Sequence, residues 1–229
     1  MSEFFAIGIS PLVLTLTAFY IGQLCQKKWE LPLFNPTLIG TILVIVFLLV
    51  TGMDMGVYKS GMTSISWLMT PATISLAIPM YEQFKVLRKS LKAIVIGVAA
   101  GTVSCLAMLL AGGLLLGFDQ GLTVSLLPKS VTTAIGVSLS ELFGGMGGVT
   151  TAAIIVTGIF GNMLGQTFCK WFRITDPVAQ GVAFGTAAHV IGTAKANELG
   201  ELTGAVSSLS LVVAGLMTAV LFPVLAGML

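Results

Sequence analysis

From residue 93 to residue 116 the chain carries no charged side chain. A helix needs about 20 predominantly apolar residues to cross the hydrocarbon core of a bilayer, and this run supplies them. Similar runs recur along the chain, and charged residues make up only 9% of its 229 residues against 56% hydrophobic. A soluble domain carries roughly 25% charged residues. So few charges cannot cover a water-facing surface, which excludes an ordinary cytosolic enzyme, a nucleic-acid binder and a disordered linker. Membrane-barrel strands alternate apolar and polar residues over about ten positions, whereas these runs are continuously apolar. The fold class is therefore all-α: a polytopic membrane protein with about six to eight hydrophobic segments.

The segments fall at residues 4–24, 35–52, 61–84, 93–116, 122–143, 149–168, 178–196 and 202–225. The second opens on Asn35-Pro36, a natural helix start because proline's missing N–H has no partner to lose. Three segments are interrupted. Residues 61–84 carry Pro71, Pro79 and many hydroxyls; residues 122–143 break at Leu127-Pro128-Lys129-Ser130; residues 178–196 are rich in Gly, Ala and Thr and hold His189. Non-helical backbone at membrane depth is tolerated only against protein or a water-filled cavity, so these three are expected to line one. The motif Trp67-Leu68-Met69-Thr70-Pro71-Ala72-Thr73 echoes Leu126-Leu127-Pro128-Lys129-Ser130-Val131-Thr132, which points toward inverted repeats around a binding site. No soluble domain or long linker interrupts residues 1–229, read as one membrane domain.

The charges orient the chain. Lys27/Lys28, the cluster Lys85, Arg88, Lys89 and Lys92, and the pair Lys170/Arg173 are three basic groups, which the positive-inside rule places together on the cytoplasmic face. Two crossings bring the second group inside. The third joins it only if residues 122–143 re-enter rather than cross. The N-terminal run lacks a basic n-region and a small-residue cleavage site, so it is expected to be an uncleaved span.

Cys25, Cys105 and Cys169 lack metal-ligand spacing and read as small apolar packing residues. No catalytic triad, HExxH or Walker motif occurs. Neither an enzyme, a metal site nor a cofactor is expected.

Lys129 is the sharpest signal, since an ammonium at membrane depth must face a cavity or an anion. With Pro128 opening a half-helix, Ser130 and the following amides would present a positive end. Lys129, Thr132 and Thr133 would then share one face and make a carboxylate site. Thr186, His189 and Thr193 would similarly line one face of a helix, with His189 able to carry a proton.

Around these residues the chain resembles the LrgB/CidB family of bacterial membrane proteins over essentially its whole length. The likeness rests on Leu127-Pro128-Lys129-Ser130-Val131-Thr132-Thr133 and on Gly185-Thr186-Ala187-Ala188-His189-Val190-Ile191-Gly192-Thr193-Ala194. Asn35-Pro36, Pro79-Met80-Tyr81-Glu82 and Gly204-Ala205-Val206-Ser207-Ser208-Leu209 also fit. Ala134 departs from the family's frequent proline. The resemblance implies two roles: antiholin-like control of murein hydrolases with a small LrgA/CidA-type partner, or export of small carboxylates as in plastid relatives.

The residues favour transport. The expectation is a carrier in the bacterial cytoplasmic membrane, alone or as a homodimer, moving a small monocarboxylate such as pyruvate, lactate or glycolate. Lys129 and Ser130 would neutralise the carboxylate. Thr132, Thr133, Thr70 and Thr73 would bond its oxo or hydroxyl oxygen, and His189 would relay a proton.

Overall fold

The computed structural model describes residues 2–29, 34–75 and 77–229, without the side chains of residues 2–10, 69, 70, 72, 73, 79 and 80. Every regular element among them is a helix. Contacts divide the chain into two compact units, Met1–Ser75 and Leu76–Leu229.

The first unit is built on α1 (Ser2–Trp29) and α2 (Pro36–Thr51). Asn35 caps α2 by accepting bonds from the amides of Thr37 and Leu38 at 2.9 and 3.3 Å. The two helices run antiparallel, with Gly22 against Pro36 and Gly40 against Phe19. Two shorter helices follow, α3 (Met55–Gly61) and α4 (Thr63–Ser75); the first of them has no counterpart among the expected segments. Thr15 and the Tyr58 hydroxyl bond α1 to α3 at 2.7 Å.

The second unit contains α5 (Ala77–Glu82), α6 (Phe84–Leu116), α7 (Gln120–Leu126), α8 (Thr133–Leu142), α9 (Gly147–Trp171), α10 (Pro177–Leu199) and α11 (Glu201–Ala226). Helices α6, α9 and α11 are long and apolar enough to span a bilayer. The burial pattern inverts that of a soluble protein. Large apolar side chains such as Ile96, Met108, Leu115 and Val220 point outward, while Thr123, Ser125, Ser140, Thr150, Ser207 and Thr218 are buried. Lipid removes the hydrophobic drive between helices, so small residues and hydroxyl bonds hold the interior. Thr150 donates to Ser140 at 2.7 Å in that way.

Residues 122–143 form a helical hairpin that re-enters. After α7 the chain turns at residues 127–132, and α8 returns it beside its point of entry. The Met146 amide donates to the Ser125 hydroxyl at 2.7 Å, and a methyl built on Gly121 would touch the Gly144 carbonyl at 3.6 Å.

A second hairpin lies within α10, where the sequence suggested one continuous face. Before the kink, Gly181 packs on Thr203 and Val206 and Gly185 on Ser207 and Ser210, so residues 177–187 run parallel to α11. After it, Thr193 bonds Ser207 and Asn197 packs on Gly204, so residues 190–199 run antiparallel to α11. Phe184 and Ala196 meet again in one cluster with Cys169. In a straight helix their separation would be roughly 18 Å at 1.5 Å per residue. The reversal sits at Ala188 (φ −129°, ψ 16°) and His189 (φ 42°, ψ −136°). Thr186, His189 and Thr193 therefore do not share one helical face.

The two hairpins approach from opposite sides. Helices α6 and α11 run parallel: Leu87 clusters with Ala205 and Val206 near their starts, and Leu106 with Phe222 and Ala226 near their ends. Residues 177–187 follow the same direction, Gly97 facing Val182 and Gly101 facing Thr186. The α7–α8 hairpin instead begins where α6 ends, and α9 leads back to Cys169, Phe184 and Leu199. Lys170 and Arg173 thus return to the face that holds Lys85, Arg88, Lys89 and Lys92, in keeping with the charge rule.

Helix plus hairpin occurs twice, in opposite orientation. In each copy a glycine of the returning arm lies over a carbonyl eight positions earlier: Gly136 over Pro128, at 3.3 Å from a built methyl, and Gly192 over Phe184, at 2.8 Å. This is the arrangement of an inverted repeat, but it pairs residues 122–143 with residues 177–199 and not with the 67–73 echo, which lies within the unbroken helix α4.

Candidate functional site

The hairpin tips meet near the middle of the membrane. Ser130 lies beside Cys105, with Oγ 3.4 Å from Sγ. Cys105 sits midway along the uncharged run 93–116, about 16–18 Å from either end at 1.5 Å per residue. Lys129 therefore stands at the depth where an ammonium is most expensive. Its Nζ donates to Ser130 Oγ at a long 3.4 Å, and no carboxylate pairs with it among the described residues.

The tip is turned rather than helical. The amides of Lys129 and Val131 reach the carbonyls of Leu126 and Pro128 at 3.1 and 3.3 Å. Helix α8 begins only at Thr133, with Thr132 as an N-cap whose side chain makes no capping bond. This corrects the half-helix start expected at Ser130. Lys129, Thr132 and Thr133 consequently share no helix face. Neither threonine lines the cavities beside Lys129, and Thr133 is exposed.

Three cavities converge on the Lys129–Ser130 tip. One of about 250 Å³ is bounded by Lys129, Ser130, Cys105, Thr186 and the glycine step Gly97/Gly101 on α6. A larger apolar one of about 520 Å³ opens on the other side of Lys129, between α9 and residues 177–188. A third, of about 10 Å³, is enclosed by Thr102, Cys105, Ser130, Thr186 and Thr218 with apolar neighbours. The hydroxyls of two of these residues, Thr102 and Thr186, are buried and have no hydrogen-bond partner among the described residues.

His189 is buried at the second tip, its Nε2–H donating to the Ile154 carbonyl at 2.9 Å. The ring lies against Gly158, where a methyl would come within 2.7 Å of Cε1. A positive φ at a residue other than glycine stores backbone strain of about 1–3 kcal/mol, and the Ile154 bond helps hold it. Thr193 secures the same turn, donating to the His189 carbonyl at 2.9 Å and pairing with Ser207 at 2.8 Å. Removing that hydroxyl with Thr193→Val strands two buried polar groups, at a cost of about 1–3 kcal/mol. The melting temperature of the purified protein should fall by several degrees, and an unchanged melt would refute the locking role.

Of the residues singled out in the sequence, Lys129, Ser130 and Thr186 come together around one cavity. His189 and Thr193 shape the opposing tip. Thr70 and Thr73 lie on α4 in the first unit, and their side chains fall outside the described residues. Sequence reasoning missed Thr102 and took Cys105 for packing. They sit three residues apart on α6, beside the Gly97/Gly101 step, and that spacing on an otherwise apolar helix was the available signal.

A model of the LrgB-like family matches residues 15–228. The chain belongs to the LrgB-like family. The holin-like protein CidB of Staphylococcus epidermidis, from two strains, is similar to this LrgB-like chain at 34% identity over 218 residues, covering 95% of each sequence. No solved structure matches. The family match runs through both units of the LrgB-like fold and includes both hairpin tips.

Proposed function

We propose that this LrgB-like protein is a carrier for a small monocarboxylate of the pyruvate, lactate or glycolate class. It works by alternating access in the bacterial cytoplasmic membrane and does no covalent chemistry. The observation that carries this reading is Lys129, with no carboxylate partner among the described residues, at mid-depth where two oppositely directed hairpins meet. Broken helices meeting at the bilayer midplane are where transporters of inverted-repeat construction hold substrates. The ammonium supplies the charge that a carboxylate needs once it leaves water. A cavity of about 250 Å³ beside it is smaller than the roughly 300–1,000 Å³ of drug-sized sites, which suits an acid of two or three carbons.

His189 has its imidazole N–H committed to Ile154, which supports a positioning role at the second tip over proton relay. Purified protein in liposomes should take up radiolabelled pyruvate or glycolate down an imposed gradient. Protein-free liposomes should not.

The second reading is an antiholin-like regulator of murein hydrolases, acting with an LrgA/CidA-type membrane partner or as a homodimer. The holin-like name of the relatives favours it over transport. Liposomes that take up no C2–C3 acid, from a protein that still alters lysis in cells, would decide for it.

A further inference from the structure

The smallest of the three cavities contains a chemical mismatch. Thr102 and Thr186 are 5% and 8% exposed; both residues line a space of about 10 Å³, and neither hydroxyl has a hydrogen-bond partner among the described residues. Buried polar groups are nearly always satisfied, so each exception calls for an explanation. The space has room for about one water-sized atom. Of the other two hydroxyl residues around it, Thr218 and Ser130, the Ser130 hydroxyl has two long contacts among the described residues, to Cys105 and Lys129, both at 3.4 Å.

The same Ser130, Cys105 and Thr186 also bound the 250 Å³ cavity that contains Lys129. An acid held there by its carboxylate therefore has a small niche next to it, bordered by Thr102, Thr186 and Ser130. Thr186 cannot swing freely, because its methyl is pressed toward Gly101, where an added methyl would come within 2.9 Å.

We infer that Thr102, Thr186 and Ser130 form a subsite for a second oxygen on the transported acid, selecting 2-oxo and 2-hydroxy acids over unsubstituted ones. The inference rests on the carrier reading above. A site built to hydrogen-bond a substrate oxygen rejects analogues lacking it, because its own buried groups are then left unpaired. A keto oxygen would accept from both threonine hydroxyls. A 2-hydroxyl would accept from one and donate to the other.

Cys105 borders both cavities and reports on their occupancy. In a Cys25→Ala/Cys169→Ala protein, the rate at which N-ethylmaleimide labels Cys105 should be slowed by glycolate and pyruvate. These should act at about tenfold lower concentration than acetate or propionate. Thr102→Val/Thr186→Val, shape-preserving and without hydroxyls, should erase that gap, and Thr102→Ser/Thr186→Ser should restore it. If the double valine protein does not fold, each single valine variant should narrow the gap by about threefold.

Equal protection by all four acids, or a gap that survives both valines, would overturn the subsite while liposome uptake leaves the carrier standing. Absence of both protection and uptake would sink the carrier reading and the subsite with it.

Discussion

A Lys129→Met protein should fold at least as well as the wild type and lose carboxylate uptake by about 10- to 100-fold. Both halves follow from the lysine's surroundings. Inserting an ammonium at the centre of a membrane helix costs about 2.5–3.5 kcal/mol, and among the described residues no carboxylate offsets it. Methionine has similar length and no charge, so its thermal midpoint should stay level or rise by a few degrees. A charge-assisted bond to a carboxylate contributes about 1.5–3 kcal/mol, and each 1.4 kcal/mol is tenfold in affinity. Lys129→Arg keeps the charge and should retain partial uptake. Melting curves beside liposome uptake test the pair. Uptake within threefold of wild type would remove Lys129 from the site. A lowered melt would instead make it a structural residue.

This split between stability and activity explains why Lys129 was legible without coordinates. In a chain with 9% charged residues, a cation among apolar neighbours has no bland surface role. Pro128 likewise announced the break. The sequence misplaced the helix start because Pro128 suits a first helical position, whereas the chain spends residues 127–132 in turns and starts α8 at Thr133. The basic groups anticipated the re-entrant course of residues 122–143, since only that course reunites Lys170 and Arg173 with Lys85.

The reversal inside α10 had no comparable signature. Neither proline nor glycine occupies residues 188 and 189, and the turn's positive φ falls on His189, a residue whose local preference does not call for it. The turn is held from a distance by Ile154 and Ser207, contacts that no window of sequence contains. Thr102 was hidden for the same reason. A threonine on an apolar helix reads as packing until Thr186, 84 positions on, is found beside the same cavity.

The hairpin in α10 makes its own prediction, the largest for stability. Gly185→Leu should leave little folded protein, because a side chain there meets the Ser207 carbonyl and comes within 2.8 Å of Ser210 Cβ. Backbone on a packed helix cannot give way as a side-chain tip can, so the cost lies at or above the upper end of the usual 1–3 kcal/mol for overpacking. Gly192→Ala should behave similarly, since its methyl would sit 2.8 Å from the Phe184 carbonyl. Gly97→Ala is the control: it meets only the Val182 side chain, at 3.1 Å, and should cost about 1 kcal/mol or less. The contrast also tests the direction of the chain. In a straight α10, residue 192 would be about 12 Å along the axis from Phe184, and Gly192→Ala would be as mild as Gly97→Ala. Equal, wild-type-like melts for those two proteins would mean that the chain does not turn back at His189, and that the second hairpin does not reach Lys129.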